Sequence, residues 1–249
     1  MTSTKKFRKG LLLLLCLNAS STFSATQSTY LPMLTHGHFV FSLGGYQSKQ
    51  GETQHIDIQD LIGDTFSVSH YHDHNALLGL GYFLDGQHWN KVQMSYGINA
   101  FYLAATAVSG YVTQEDLFTN LSYSYNVTHL PVFLIVKTAI HLNSPLYALT
   151  FDIGAGSNFM KLYNFHENSL DNGITIPEQP FSSNTNTTFS ATFGAGIKID
   201  RALGQLALEC DYRFFYLGEG HFTINDNQVP NSLKTGNIYA NAMQCSIST

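Results

Sequence analysis

The stretch 92–102 reads VQMSYGINAFY and alternates apolar residues with small or polar ones. Because successive side chains of a β-strand point to opposite faces, this period of two predicts a strand with one apolar and one small, polar face. The stretches 147–156 (YALTFDIGAG) and 189–198 (FSATFGAGIK) repeat the pattern. An all-β fold is therefore expected.

Eight segments of the chain combine this alternation with turn-forming residues at their ends. Short connections at 85–88, 141–145 and 201–204 alternate with long ones that are rich in Asn, Asp, Ser, Thr and Gly. An even number of strands with short turns at one end and long loops at the other is the layout of bacterial outer-membrane barrels. The sequence predicts a closed, antiparallel, up-and-down transmembrane β-barrel with short periplasmic turns and extracellular loops at 50–73, 104–117, 161–186 and 218–233. The predicted strands are 37–49, 74–84, 89–103, 118–140, 146–160, 187–200, 205–217 and 234–248.

Alternation alone does not tell whether the apolar face packs into a soluble core or points into lipid. A water-exposed strand face usually carries many Lys and Glu residues, whereas the polar face here is mostly Gly, Ser, Thr and Asn. That composition suits the crowded interior of a small closed barrel. A soluble periplasmic barrel or sandwich, with its apolar face inward, is the competing architecture.

The segment 118–140 changes phase. Apolar residues occupy odd positions from Leu121 to Val127 and even positions from Leu130 to Val136, with Pro131 at the change. A β-bulge near 128–131 would restore one lipid-facing stripe, because a bulge inserts one extra residue. Two short strands are the alternative.

The first 25 residues have the layout of a secretory signal peptide. Four basic residues precede the apolar run 11–17, and small residues follow up to Ala25. We expect 1–25 to be cleaved and 26–249 to form one barrel domain. Cleavage leaves 8 basic against 17 acidic residues, which argues against nucleic acid as a partner. Cys210 and Cys245 fall in the last two predicted strands, where a single cross-link is possible. In the predicted register they lie several residues out of step, so free thiols are favoured.

Six charged residues fall on the predicted interior face. Ionised groups in a narrow lumen need partners, because an unpaired buried charge costs several kcal/mol. A salt-bridged, charge-plugged lumen is therefore expected, in which the pairs fix strand register and shape or, alternatively, act as a gate. The six residues are Lys137, Asp152, Lys198, Glu209, Asp211 and Arg213.

The run 69–74 places His70, His72 and His74 on one face of an extended strand. Imidazoles in such a row could bind zinc, copper or nickel, but metal sites need tighter convergence than the roughly 7 Å spacing of residues i and i+2. A polar loop entering a strand and a sensor of acid are the other interpretations. Twelve of the 17 acids lie in the four long loops, so the external surface is expected to be negative.

Several stretches resemble the small eight-stranded outer-membrane barrels of the OmpA and OmpX type: 37–46, 123–125 before Leu130 and Pro131, 147–159, and 193–196. The resemblance implies insertion into the outer membrane by the assembly machinery, contact with lipid and lipopolysaccharide, and function in the external loops. Roles in such families include structural support, adhesion to host or matrix surfaces, and narrow pores. The end of the chain, 244–249, lacks the terminal aromatic residue that the assembly machinery reads in these proteins.

Enzymes that modify lipid A occur among the same barrels, and the deacylase type is expected to carry His-x-Ser on a strand. No His-x-Ser occurs in the sequence, and the nearest match is His221 with Thr223. We therefore expect no enzyme and no cofactor, but a structural or adhesive surface protein. A small-solute or ion pore is the alternative.

Overall fold

The computed structural model describes residues 37–144 and 146–249, so the expected signal peptide at 1–25 lies outside the described residues. All regular secondary structure in the described residues is β-strand. The strands are β1 (Gly37–Lys49), β2 (Gln54–Ile56), β3 (Asp64–His70), β4 (His72–Trp89), β5 (Val92–Gln114), β6 (Phe118–His141), β7 (Tyr147–Ser169), β8 (Phe181–Ser182), β9 (Asn184–Leu203), β10 (Leu206–His221), β11 (Thr223–Ile224) and β12 (Lys234–Ser248).

No helix within residues 37–144 and 146–249 is long and apolar enough to cross a membrane.

Eight of these strands close into a barrel. Each is antiparallel to the next in the order β1, β4, β5, β6, β7, β9, β10 and β12, and β12 returns to pair with β1. This closing seam runs from Val40 opposite Ser248 to Lys49 opposite Tyr239. The predicted eight-stranded up-and-down barrel is confirmed, and the bounds of its first and last strands are as predicted.

The two ends of the barrel differ in the length of their connections. At the short-turn end, turns of two to five residues join β4 to β5, β6 to β7 and β9 to β10. At the opposite end, which we call the hairpin end, strands continue well past the predicted bounds. β5 reaches Gln114 and β7 reaches Ser169, while β2 and β3 prolong the β1–β4 hairpin by pairing at Ile56 and Asp64.

The ranges 104–117 and 161–186, predicted as loops, are therefore β-strand over much of their length. Backbone pairing continues there because the inward-facing side chains, including Val108, Val112 and Leu162, stay fully buried while their neighbours face water. Polar composition on the outer face was mistaken for a loop.

The predicted bulge in the 118–140 segment was also wrong. β6 is one continuous strand whose odd-numbered residues point inward from Leu121 to Ala139. The apolar residues switch sides because the barrel interior is apolar towards the hairpin end, where Tyr125 is buried, whereas the exterior is apolar towards the short-turn end, where Leu134 is 69% exposed. Near the phase change the bulges lie in the neighbouring strands, in β5 between Leu103 and Thr106 and in β7 near Asn164, whereas the extra residue of β6 lies at its start, between Thr119 and Leu121.

Large apolar side chains cover the outside of the short-turn half of the barrel. We call this surface the belt. Its exposed residues include Phe39, Phe41, Leu43, Leu78, Leu80, Tyr82, Tyr96, Ile98, Tyr102, Leu130, Leu134, Leu149, Phe151, Ile153, Phe159, Phe189, Phe193, Ile197, Tyr212, Tyr239, Met243 and Ile247.

The two cysteines of the barrel form a disulfide, so the expectation of free thiols was wrong. Cys210 of β10 lies directly opposite Cys245 of β12. The prediction failed because β10 continues past Leu217 to His221, which pairs with Lys234. The extra four residues shift the register and bring the cysteines together.

Candidate functional site

The lumen opens at the short-turn end into a cavity of about 500 Å³, which we call the vestibule. Its wall carries close contacts between basic and acidic side chains. His38 Nδ1 lies 3.6 Å from an Asp85 oxygen, and Lys198 Nζ lies 2.9 Å from Asp200, which His141 approaches at 3.4 Å. Lys198, expected in the lumen charge network, pairs with Asp200 at the mouth of the lumen.

Lys137 and Glu209 form the inner end of the vestibule. Their side chains are joined by a salt bridge across the lumen, from β6 to β10. The Thr150 hydroxyl donates a 2.7 Å hydrogen bond to the second Glu209 oxygen. Because both carboxylate oxygens have partners, this group is held rigidly between strands that are not neighbours in the barrel.

A second charged layer lies deeper, around Arg213. The guanidinium donates two hydrogen bonds to Asp152, at 2.8 and 2.7 Å, and a second carboxylate, Asp211, lies at 3.3 Å. Gln244 donates to both oxygens of Asp211 at 3.1 Å. These side chains are almost completely buried, so the pairs offset the cost of placing charge inside the barrel.

Three phenylalanines close the lumen next to Arg213. Phe101, Phe133 and Phe215 are fully buried, with ring centroids 5.3 to 6.2 Å apart. The Arg213 guanidinium carbon lies 5.2 Å from the centre of the Phe101 ring. The aromatic layer and the charged layer therefore pack on each other, and their side chains fill the lumen where a channel would run.

The hairpin half of the lumen is filled by an apolar core. Beyond the phenylalanine layer, Asn158 donates to His129 Nδ1 at 3.1 Å and to the Leu217 carbonyl at 2.9 Å. The core that follows is largely aromatic and buries Phe66, Tyr123, Tyr125, Phe181 and Phe222, with Phe165 packed against it.

The loop 170–180 and the strands β8 and β11 cover this core, and we call them the cap. Phe181 pairs with Ile224 through the backbone, which holds the two loops together. Below the cap, buried Glu167 exchanges hydrogen bonds with Gln179, donating from its backbone at 3.1 Å and accepting at 3.3 Å. Burial, with the nearby carboxylate of Asp64, raises the pKa of Glu167 to about 7.

The structure gives no compact set of ligands around the three histidines predicted as metal ligands. The side chains of His70, His72 and His74 are exposed. Among residues 37–144 and 146–249, no group of three His, Cys, Asp or Glu side chains converges on a point that could hold a metal ion. Metal binding by the histidine run stays a prediction.

Sequence reasoning identified the lumen charges but missed their uncharged partners. In the stretch 92–102, Phe101 has the same phase as the polar residues Ser95 and Asn99, which was a signal that an aromatic ring points into the lumen. Thr150 and Gln244 lie on inward positions of β7 and β12 and could have been found from alternation alone. Glu167 was counted among the surface acids, because its loop was not expected to be strand.

The exposed apolar side chains of the belt are stable only in an apolar environment such as lipid. A closed barrel has no unpaired strand edge, and an outward apolar band on such a barrel matches the hydrocarbon core of a bilayer. The charged residues face the lumen or lie beyond the belt at the two ends. The chain thus has the architecture of an outer-membrane β-barrel, as the sequence predicts, and the soluble alternative fails because the apolar face points outward.

No protein-family model and no curated protein sequence matches the chain. Solved structures with a similar fold include outer membrane protein OprG from Pseudomonas aeruginosa, with 14% identity, a TM-score of 0.49, and coverage of 86% of this chain and 96% of that one. They also include Neisserial surface protein A, with 9% identity, a TM-score of 0.41, and coverage of 86% and 99%. The outer membrane protease OmpT from Escherichia coli has 5% identity, a TM-score of 0.47, and coverage of 90% and 99%.

Proposed function

We propose that this protein is a non-enzymatic outer-membrane barrel with a sealed lumen, whose structural or adhesive role is carried out by the surface of its hairpin end. The filled lumen carries the proposal. Between the vestibule and the cap lie the Lys137–Glu209 pair, the Arg213 layer, the phenylalanine layer and the aromatic core in series.

If the lumen is sealed, the protein can contact its partners only through its outer surfaces. Eight strands enclose an interior just wide enough to be filled by side chains. The belt contacts outer-membrane lipid, and the hairpin end projects into the medium, where lipopolysaccharide and host or matrix surfaces are the available partners. We include the assembly machinery as the partner that inserts the barrel.

We do not expect this barrel to act as a lipid A deacylase. Such an enzyme needs a nucleophile and a base on the outer wall, next to its lipid substrate. His221 and Thr223, the nearest sequence match, lie beyond the belt, on β10 and β11 at the hairpin end. A test for release of fatty acid from lipid A is expected to show none above the level of empty membranes.

Single-channel recording in planar bilayers tests the sealed lumen. The purified, heat-modifiable barrel is expected to add no conductance above the bare bilayer, with a known porin as positive control. Steady conductance from the wild-type protein would contradict the proposal and favour the alternative, a small-solute or ion pore. Flickering conductance that needs high voltage would show a lumen that opens under force and would also contradict it.

A further inference from the structure

Three neighbouring turns at the hairpin end expose a group of large apolar side chains outside the belt. They belong to the turn 57–63, the turn 114–118 and the loop 169–178. Backbone and side-chain hydrogen bonds join the turns. Glu115 accepts from the Ile62 N–H at 3.0 Å, and Asn120, next to the second turn, donates to Thr175 of the loop at 2.9 Å. We call this surface the tip patch; its exposed apolar residues are Leu61, Ile62, Leu117, Phe118, Leu170, Ile174 and Ile176.

The exposure of the tip patch is unusual for a surface that contacts only water. Ile174 is 83% exposed, Ile176 78% and Leu117 71%. The belt explains exposed apolar residues near the short-turn end, but these turns lie at the opposite end of strands that continue well beyond it. Contiguous exposed apolar surface of this kind, rimmed by polar groups, marks interaction sites in soluble regions of proteins.

Carboxylates surround the patch. The three segments, together with Asp64 directly after the first one, contribute seven acids and no Lys or Arg: Asp57, Asp60, Asp64, Glu115, Asp116, Asp171 and Glu178. Throughout residues 37–144 and 146–249, no Lys or Arg nitrogen lies within salt-bridge distance of any of the seven. The hydrogen bonds that Asp116 and Asp171 accept from Thr65, Ser169 and Thr175 fix their position without neutralising them.

From this juxtaposition we propose that the tip patch binds a polypeptide segment that carries apolar and basic side chains on one face. The apolar side chains would cover the exposed Leu, Ile and Phe residues, and the basic ones would meet the carboxylate rim. Charge disfavours the other occupants. A second copy would bring seven further carboxylates against the first seven, and anionic lipid or lipopolysaccharide would add negative charge to negative charge.

The inference rests on the proposed function, because it assigns the partner chemistry of the surface to which that function is given. The inference requires only that the cap and the hairpins are exposed at the hairpin end. Its test therefore uses the full barrel in phosphatidylcholine nanodiscs. Binding is measured there, whereas sealing of the lumen is measured separately, by conductance in planar bilayers.

The probe is a set of three fluorescent helical peptides of about 18 residues: one with a leucine and a lysine face, one with a serine and a lysine face, and one with a leucine and a glutamate face. The Leu/Lys peptide is expected to bind at least about tenfold more tightly than either other peptide, because only it matches both features of the patch. Empty nanodiscs give the background. Equal binding of the Ser/Lys peptide would overturn the proposal, since charge alone would then account for it.

Two variants locate the binding. Ile174→Ser with Ile176→Ser removes apolar surface, and Glu115→Gln with Asp116→Asn removes charge; each pair is expected to weaken Leu/Lys binding by about tenfold. Glu52→Gln, an exposed acid outside the three segments, is the control and should change binding by less than about twofold. Unchanged binding by both double variants, when both remain heat-modifiable, would overturn the proposal. Self-association of wild-type nanodiscs that the Ile double variant abolishes would do so too, since the occupant would be a second copy.

Discussion

Cys210 and Cys245 lie directly opposite each other on β10 and β12, and their disulfide lies in the belt between Ile197 and Leu43 of the flanking strands. The bond faces outward, where a bilayer covers it, so it links the last strand to its neighbour without entering the lumen. It encloses a sequence separation of 35 residues.

We expect Cys210→Ser and Cys245→Ser each to lower the free energy of unfolding by roughly 3 to 4 kcal/mol, because the cross-link restricts the unfolded chain. Urea titration of the barrel in detergent, followed by loss of the fast-migrating band, measures the change. The double variant should match either single one, since each removes the same bond. Additive losses would mean that the cysteines act separately and that the bond does not form.

Arg213→Ala leaves Asp152 and Asp211 buried without their cation. It should destabilise the barrel by about 3 to 5 kcal/mol, the usual cost of breaking a buried ion pair from one side. Urea titration again gives the value. Arg201→Ala, an exposed arginine near the end of β9, is the matched control and should change stability by less than about 0.5 kcal/mol. Equal effects of the two variants would show that the Arg213 layer is not formed.

The lumen has several seals in series, so no single charge removal should open it. We expect Lys137→Ala, measured in planar bilayers, to remain non-conducting, because Arg213 and the phenylalanine layer still fill the lumen. Lys91→Ala, in the β4–β5 turn, is the control for loss of one lysine. If Lys137→Ala conducts while it keeps its heat-modifiable migration, the charge pair alone is the plug.

Glu167 makes the stability of the cap depend on pH. Its pKa is raised from 4.5 to about 7 by burial, so the folded cap favours the protonated acid. Below pH 4.5, Glu167 is protonated in both the folded and the unfolded state. As the pH rises from about 4.5 to 7, the acid ionises more readily in the unfolded state, so the cap loses stability. Above pH 7 the loss stays constant at roughly 3 kcal/mol. Hydrogen exchange of residues 161–183 should therefore speed up across this range.

Glu167→Gln is the matched variant, because it keeps the shape and cannot ionise. Its hydrogen exchange, corrected for the intrinsic effect of pH, should be flat between pH 5 and 8 and slower than wild type at pH 8. A wild-type profile with no rise, or a rise that survives in the variant, would assign the dependence to other groups such as Asp64.

The belt predicts that the same substitution has different effects at two equally exposed leucines. Leu134 in the belt is 69% exposed and Leu117 at the hairpin end is 71% exposed. Leu134→Arg should cost about 2 to 4 kcal/mol of folding free energy in lipid vesicles, whereas Leu117→Arg should cost little, because only the first places the charge in hydrocarbon. Similar costs at both sites would mean that the belt does not face lipid.

Alternation and turn chemistry were enough to predict the eight barrel strands, because the belt and the lumen place opposite demands on the two faces of each strand. They failed where those demands change. Past Val127 towards the hairpin end the interior is apolar and the exterior meets water, so the phase of β6 reads as a bulge that does not exist. The prediction of the register between Cys210 and Cys245 failed for the same reason, because the strand from Leu217 to His221 has no lipid-facing stripe.

The candidate site was predictable in its charges and not in its packing. Lys137, Asp152, Glu209, Asp211 and Arg213 occupy inward positions that alternation gives directly. Which of them pair depends on strand order and tilt around the closed barrel, which no local pattern encodes. The tip patch was hidden because single apolar residues in turns are common, and only the hydrogen-bonded assembly of three turns brings them together.

Electrophoresis of fractionated cells, with and without boiling, tests the membrane barrel most directly. We predict that the protein is found in the outer-membrane fraction and that the unboiled band migrates faster than the boiled one, as expected of a closed barrel that resists detergent. Recovery in the soluble periplasmic fraction with no difference between boiled and unboiled samples would contradict the account, because the belt would then have no lipid to face.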